Sequence, residues 1–504
     1  MRLKNQKVDI IWNKIKYYFM AESLKTKFLT GISWTTASHV ILMVLGVVQL
    51  SITSRLLTPV DFGIYAIATF FSSLGNVAFS MGLSAALIQK RGDIKSYLNT
   101  SWAAGILVAI VVSAIIMALI PFVCKSYYHN ADAIWPSLVI MLNCLFVTAS
   151  NPALIIYRKE INLKKIFYLD VFSKLFSFIL VVVSVYFLRS YWGLIIAILS
   201  ESIFRLVYSY FLHPYKPRFE IKWDQFKEMY SFSGWIQLKN IASWLSSSID
   251  TAIVGNVLGT KKLGFYNRAQ SVSNYPPTFI NAVIDTVAFP LYSQINDDKE
   301  RTNRIVISVQ NTMILLMSLI SIVFIRYSDK VIQIILGNQW TSMSNVFAVL
   351  GIAYLLQALL LSFNPVLRAL GFTRQEFIFY IIKIGLTVAL LYPFVNKWDL
   401  MGAAWAINAS VIISFPIMIF IIKKKTGLHL RDYYYSILIA VLSVVATHYL
   451  VNIISAWFQN GWLWLIEMVI ALLTICGIQL ITYIITKKGP GEALYQLIKI
   501  RISH

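Results

Sequence analysis

The sequence predicts an all-α integral membrane protein. About fourteen transmembrane helices are expected, as two pseudo-symmetric six-helix lobes plus two C-terminal helices. Three observations lead there. The 504 residues are 58% hydrophobic and only 13% charged, where an ordinary soluble domain carries about 25% charged residues. That is more apolar surface than a water-soluble interior can hide. Apolar stretches recur along the chain, each near the roughly 20 residues that cross a bilayer as a helix. Finally, the chain repeats itself at a distance of about two hundred residues.

Residues 1–29 are charged and aromatic, and "DIIWNKIKYYFM" sets apolar and basic residues at helical spacing. They read as a basic amphipathic cytoplasmic N-terminus on the inner membrane face, without the pattern of a cleavable signal peptide; a loosely ordered basic tail is the rival reading. The N-lobe, 30–212, holds spans near 30–55, 61–89, 97–123, 131–155, 164–187 and 190–212. A cytoplasmic linker, 213–228, follows. The C-lobe, 229–423, holds spans near 229–255, 262–291, 303–326, 343–368, 373–395 and 400–423. Extra spans near 434–456 and 461–486 occupy 434–486, and 487–504 is a cytoplasmic tail. No connection is long enough for a soluble domain, so function must lie between the helices.

The formal charge of +22 resembles a nucleic-acid signal until it is mapped. With the N-terminus inside, the inner segments hold 31 of the 44 Lys and Arg, the outer loops 8 and the spans 5. This positive-inside bias places both termini in the cytoplasm. The charge is spread over eight short segments beside no aromatic platform, which disfavours nucleic acid. Cys124, Cys144 and Cys476 show no CxxC spacing and read as packing residues, so neither a disulfide frame nor a metal site is expected.

The repeat is clearest where "LLTPVDFGIY" (57–66) meets "LGTKKLGFYN" (258–267) at an offset of 201. Leu57 falls on Leu258, Gly63 on Gly264, Tyr65 on Tyr266 and, upstream, Trp34 on Trp235. Only five of 36 positions over 31–66 are identical, but they include rare types at matching places. Asn-Pro pairs in "SNPALIIYRKE" and "FNPVLRALGFT", and "IFY" at 166–168 and 378–380, extend the echo. A six-span unit is even, so both copies start on one side: a parallel repeat, the plan of transporters whose site lies between the halves near the midplane. Thr58-Pro59 and Gly259-Thr260 supply turn chemistry, Gly63 and Gly264 close helix approach, and Tyr65 and Tyr266 are expected at headgroup depth.

Three stretches carry a resemblance: "SRLLTPVDFGIYAIATF", "SSIDTAIVGNVLGTKKLGFYNRAQ" and "AFPLYSQINDDKERTNR". With the twelve-plus-two helix plan, they resemble the Wzx-type polysaccharide flippases of the multidrug/oligosaccharidyl-lipid/polysaccharide (MOP) exporter superfamily, over about 25–485. The resemblance implies transport of a polyprenyl-pyrophosphate-linked oligosaccharide across the bacterial plasma (inner) membrane by alternating access, for cell-surface polysaccharide biosynthesis. It also implies a cleft lined by helices 1, 2, 7 and 8, membrane lipid around the helices, no cofactor, and a polysaccharide polymerase and chain-length machinery as the partners such an exporter works with.

Physics asks for a site of that kind. A diphosphate taken into hydrocarbon uncompensated costs on the order of tens of kcal/mol before relaxation. Charges inside spans are functional candidates, and the cleft candidates are Lys239, Asp250, Arg268, His39 and Arg55. Lys239 and Asp250 are eleven apart, close to three turns, and so share a face. Four of them have a structural alternative: an ion pair for Lys239, partnership with a cation in place of proton carriage for Asp250, headgroup snorkelling for Arg268, and an interhelical hydrogen bond in place of a switch for His39. Asp170 with Lys174, and Glu201 with Arg205, are i,i+4 and read as structural pairs along their own helices. Lys383 and Glu467 have no assigned role. Pro276 and Pro277 should kink span 8.

No catalytic motif is present. "DFG" at 61–63 lacks the other kinase elements, and no GxxxxGK[ST] or HExxH occurs. Two further readings compete with the flippase: a cation-coupled small-molecule antiporter of the same superfamily, and an integral-membrane sugar polymerase. The basic cleft suits an anionic cargo better than the first, and the short outer loops tell against the second.

Overall fold

A computed structural model describes residues 30–79, 86–88, 90, 92, 94–294, 299–426, 430–454 and 463–502. The amphipathic reading of 1–29 lies outside them. The described residues are almost wholly helical, with no strand among them. In chain order, α1 is Thr30–Leu56, α2 Pro59–Phe79, α3 Lys95–Phe122, α4 Ala131–Ala149, α5 Leu163–Leu188 and α6 Trp192–Leu212. The 72-residue helix Trp223–Gln294 breaks at Gly259, whose φ of 79° is left-handed and suits a residue without a Cβ. The break separates α7 (223–258) from α8 (260–294). Then come α9 Lys299–Arg326 and α10 Ser344–Leu361. Thr373–Thr426 breaks at Trp398 and Asp399 into α11 (373–397) and α12 (400–426). Last are α13 Leu430–Ile454, α14 Leu463–Thr486 and α15 Glu492–Ile502.

The described residues of each stretch expected to span are mostly helical. By length and composition, eleven helices among the described residues can cross a membrane, against the fourteen expected. The difference has two sources. Thr373–Lys424 counts once despite its break, and the α7–α8 helix is not among the eleven: its facing surfaces carry polar residues, for reasons the site makes clear.

Helix faces are sorted as a bilayer demands. Outward positions hold large apolar side chains such as Phe211, Phe187 and Ile485. Inward positions hold small or polar ones, which let backbones approach and bond. On α14 the buried stripe is Glu467, Ala471, Ile475 and Gln479. Arg326 on α9 pairs with Glu467 at 2.7 Å, and Gln479 donates to Ser318 and Ser443 at 2.8 and 3.0 Å. Ser436 donates to Asn311, which donates to Glu492. This polar ladder fastens α13, α14 and α15 to α9, and Glu467 is structural.

The i,i+4 reading of the four α5–α6 charges is corrected. Asp170 pairs with Arg205 at 2.8 Å and Lys174 with Glu201 at 3.3 Å, both between helices. The helices are antiparallel, so four residues up α5 match four residues down α6, and each acid meets the base of its neighbour. Helical dihedrals continue through Pro276 and Pro277, and the one non-helical residue in this stretch is Gly259.

Candidate functional site: a polar cavity between the two halves

The halves meet through the two echoed glycines. A Cβ on Gly63 would lie 1.9 Å from the carbonyl oxygen of Thr260; one on Gly264 would lie 1.7 Å from that of Pro59. Pro59 and Thr260 are themselves 201 apart. The contact is therefore reciprocal, as at a two-fold interface where i meets j and j meets i.

More of this junction obeys the same rule. At the end of α1, Arg55 donates to the carbonyl of Ile334 at 2.8 Å, in the short helix Ser328–Ile335 after α9. At the end of α7, Asn256, 201 residues later, donates to the carbonyl of Tyr127, in the π-helical turn Val123–Tyr127 after α3. Asn130 donates to Thr260 Oγ1 at 2.7 Å, while Trp340 and Gln339 donate to the carbonyl of Ser54. Each half thus hooks the first helix hairpin of the other with the segment after its third helix. Arg55, a cleft candidate in the sequence, is engaged in this clasp and not in the cavity wall.

Below the clasp lies an aromatic layer. Trp340 stands edge-on to Phe62 and Phe265, with centroids 5.5 and 5.4 Å apart. The Arg268 guanidinium sits 4.0 Å from the Phe62 ring centroid. Arg268 is buried, donates to Asn267 Oδ1 at 3.0 Å, and leaves its Nε without a partner. A carboxylate partner is absent from its described contacts.

Beyond this layer a cavity of about 480 Å³ opens between α2, α7 and α8. From α2 it takes Ala66, Thr69, Phe70 and Ser73; from α8, Asn267, Gln270, Ser271 and Asn274. These four pairs are each 201 apart, so the facing walls are repeats of one another. Ser247, Ser248 and Thr251 of α7, with Tyr275 and Thr278 of α8, complete the lining. Tyr275 also reaches Gly46 of α1, where a Cβ would lie 2.8 Å from its hydroxyl. Eleven of the thirteen lining side chains are polar and none is charged. Such side chains in a membrane protein line water or a polar passenger.

None of the five charged candidates lines this cavity. Arg268 sits at its aromatic end. Asp250 lies behind its wall, in a smaller cavity of about 60 Å³ shared with Lys383, Tyr354 and Gln357. Asp250 accepts from Tyr266 Oη at 2.7 Å, Gln270 Nε2 at 3.1 Å and its neighbour Thr251 N at 2.8 Å. Lys383 donates to Gln357 Oε1 at 2.8 Å. His39 lines a separate cavity of about 290 Å³ with Trp34, Arg158 and Asp170, between α1 and α5. Lys239 is half-buried on α7. Tyr266 is fully buried between helices, where its hydroxyl donates to Asp250 Oδ2 at 2.7 Å.

Sequence reasoning missed the uncharged lining because it followed charge. The available signal was a polar stripe at 267, 270, 271, 274 and 278, helical spacing on one face of a span.

The comparisons agree with this architecture. A family described as "Polysaccharide biosynthesis protein" matches residues 52–345. Teichuronic acid biosynthesis protein TuaB of Bacillus subtilis (strain 168) is 21% identical over 423 residues, covering 82% of this chain and 86% of the relative. Lipopolysaccharide biosynthesis protein WzxC of Escherichia coli (strain K12) is 23% identical over 427 residues, covering 82% and 85%. A solved structure of the lipid II flippase MurJ, in an inward closed conformation, shares the fold with a TM-score of 0.73 at 15% identity, over 89% of this chain and 98% of that one.

Proposed function

This chain belongs to the polysaccharide biosynthesis protein family of Wzx-type exporters, and from that premise we propose that it is a flippase. It moves a polyprenyl-pyrophosphate-linked oligosaccharide from the inner to the outer leaflet of the bacterial plasma membrane, with both termini in the cytoplasm. The observation that carries this reading is the polar cavity whose facing walls are repeat-equivalent positions on α2 and α8. A passenger with many hydroxyls needs hydrogen-bonding walls, and a rocking pair of like halves presents the same walls to either side.

The diphosphate needs cations near its path. Arg268, at the aromatic end of the cavity and without a carboxylate among its described contacts, supports that role from one end. Lys239 on α7 is assigned the other. Contact between unit charges at an effective dielectric near 20 is worth about 4 kcal/mol at 4 Å. His39 and Asp250 are assigned supporting positions in their own half-internal cavities.

The test is surface glycan per copy of membrane protein in a strain that depends on this chain. Lys239→Ala should cut it at least tenfold at near-normal abundance, and Lys239→Arg should keep part of it, because a point charge matters here more than fork geometry. Normal glycan per copy in Lys239→Ala would overturn the assignment of Lys239.

A further inference from the structure

The cavity between α1 and α5 stands apart from the central one. None of the α2, α7 and α8 residues that wall the central cavity lines it. It encloses about 290 Å³, and its walls include Trp34, Ser38 and His39 of α1, Asp170 of α5, and Arg158 of the short helix Leu154–Lys159 that precedes α5. We propose that this cavity binds the phosphate of a bilayer phospholipid with an anionic headgroup, away from the cargo's path.

The charges around the cavity favour an anion. Asp170 is the carboxylate in its lining, and Arg205 of α6 neutralises it at 2.8 Å. One turn deeper, Lys174 and Glu201 cancel each other in the same way. The charge left over is cationic. The Arg158 side chain is exposed and has no partner among the described contacts. Its guanidinium can offer a phosphate two parallel N–H groups. The Lys164 ammonium stands 5.7 Å from the Trp34 ring centroid, at the same end of the cavity. Ser38 is 6% exposed, and neither its hydroxyl nor the His39 imidazole has a protein partner among the described contacts. Both can donate to an oxyanion.

The surroundings select a lipid over a free anion. The cavity lies where α1 and α5 begin, at the face read above as cytoplasmic. Trp34 and Phe167 pack there with centroids 4.9 Å apart, and aromatic rings of this kind sit at headgroup level. Farther along, toward the midplane, α1 exposes Val40, Val44 and Val48, and α5 exposes Phe172, Phe176 and Ile179. Each set follows helical spacing, so each helix offers an apolar rail. Two rails leading from one cationic cavity match a phosphate that carries two acyl chains. Basic pockets between helices on the cytoplasmic side suit anionic headgroups for the same electrostatic reason.

This inference takes only the orientation from the functional reading, and the test does not depend on it. Purified full-length protein in detergent is titrated with phosphatidylglycerol or phosphatidylcholine. Native mass spectrometry counts bound lipid, and melting temperature is followed in parallel. Wild type should bind its first phosphatidylglycerol at least tenfold more tightly than phosphatidylcholine, and that lipid should raise the melting temperature. The double variant R158Q/K164Q should lose at least tenfold of the affinity, and so should S38W, which fills the cavity. R158K/K164R should keep part of it. R189Q, at the far end of α5, should bind as wild type does. Equal affinity of wild type for the two lipids, unchanged phosphatidylglycerol binding in R158Q/K164Q or S38W, or an equal loss in R189Q would each overturn the inference. Displacement of phosphatidylglycerol by equimolar farnesyl pyrophosphate would also overturn it, because the cavity would then belong to the cargo. Each of these results would leave the flippase reading standing.

Discussion

Asp61, Phe62 and Gly63 imitate a kinase signature, and each has a separate structural task. Asp61 Oδ2 accepts from the amide and hydroxyl of Thr58 at 3.0 and 2.6 Å, satisfying donors at the start of α2. Its other oxygen accepts from Tyr191 N. Phe62 carries the Arg268 guanidinium, and Gly63 admits the Thr260 carbonyl. Gly63→Ala and Gly264→Ala should therefore harm the protein alike. A methyl group cannot sit under 2 Å from a carbonyl oxygen, so the helices must part, at a cost of at least about 1–3 kcal/mol. Gly385 is the control: a Cβ there meets nothing within 4 Å, and Gly385→Ala should be neutral or mildly stabilising. Abundance and melting temperature of the purified variants check this. Full tolerance at one echoed glycine and severe loss at the other would contradict the reciprocal contact.

At the scale of elements, much was legible and the misses share a cause. Apolar length located the helices, because a bilayer imposes one length on all of them. The repeat was legible from Trp34, Gly63 and Tyr65, rare types in an apolar chain; Trp34 packs on Phe167 and Trp235 on Phe377, first helix on fifth helix in each half. What stayed hidden depends on rotation about helix axes, which one-dimensional spacing leaves open. That is why Asp170 was matched with Lys174 and not with Arg205, and why the stripe on α8 went unread. The linker after α6 shows a further consequence of local geometry. Asn151 donates to the carbonyls of His213 and Tyr215, and the Tyr215 amide donates to His213 Nδ1 at 3.1 Å. Burial, and then the ammonium groups of Lys165 and Lys95, hold the His213 imidazole below its ordinary value. A depressed base favours the fold while neutral, so its contribution is present above the ordinary histidine value near about 6.5 and is lost as pH falls. Amide protection factors across 213–222 should drop between pH 7 and pH 5, and His213→Gln should flatten that dependence. Equal pH dependence in both proteins would contradict this assignment.

At the scale of the whole molecule, two like halves hold each other by reciprocal hooks on the side of the α1–α2 turn, expected to be the outer face. Alternating access requires that clasp to part. With Cys124, Cys144 and Cys476 replaced by serine, Asn130→Cys and Thr260→Cys should join on oxidation, since the native side chains are within 2.7 Å. The joined protein should lose glycan export, and a reductant should restore it; undiminished export by the fully joined protein would contradict a moving clasp. The central claim is that cargo passes between the halves through the cavity of about 480 Å³. The most direct measurement is surface glycan per copy of membrane protein after filling that cavity. Ser247→Trp and Thr278→Trp place an indole in it from α7 and α8, while Ile179→Trp, on the outward face of α5, is the matched control. The two cavity variants should insert at normal abundance and lose export at least tenfold, and the control should export normally. Normal export per copy in both cavity variants would contradict the account.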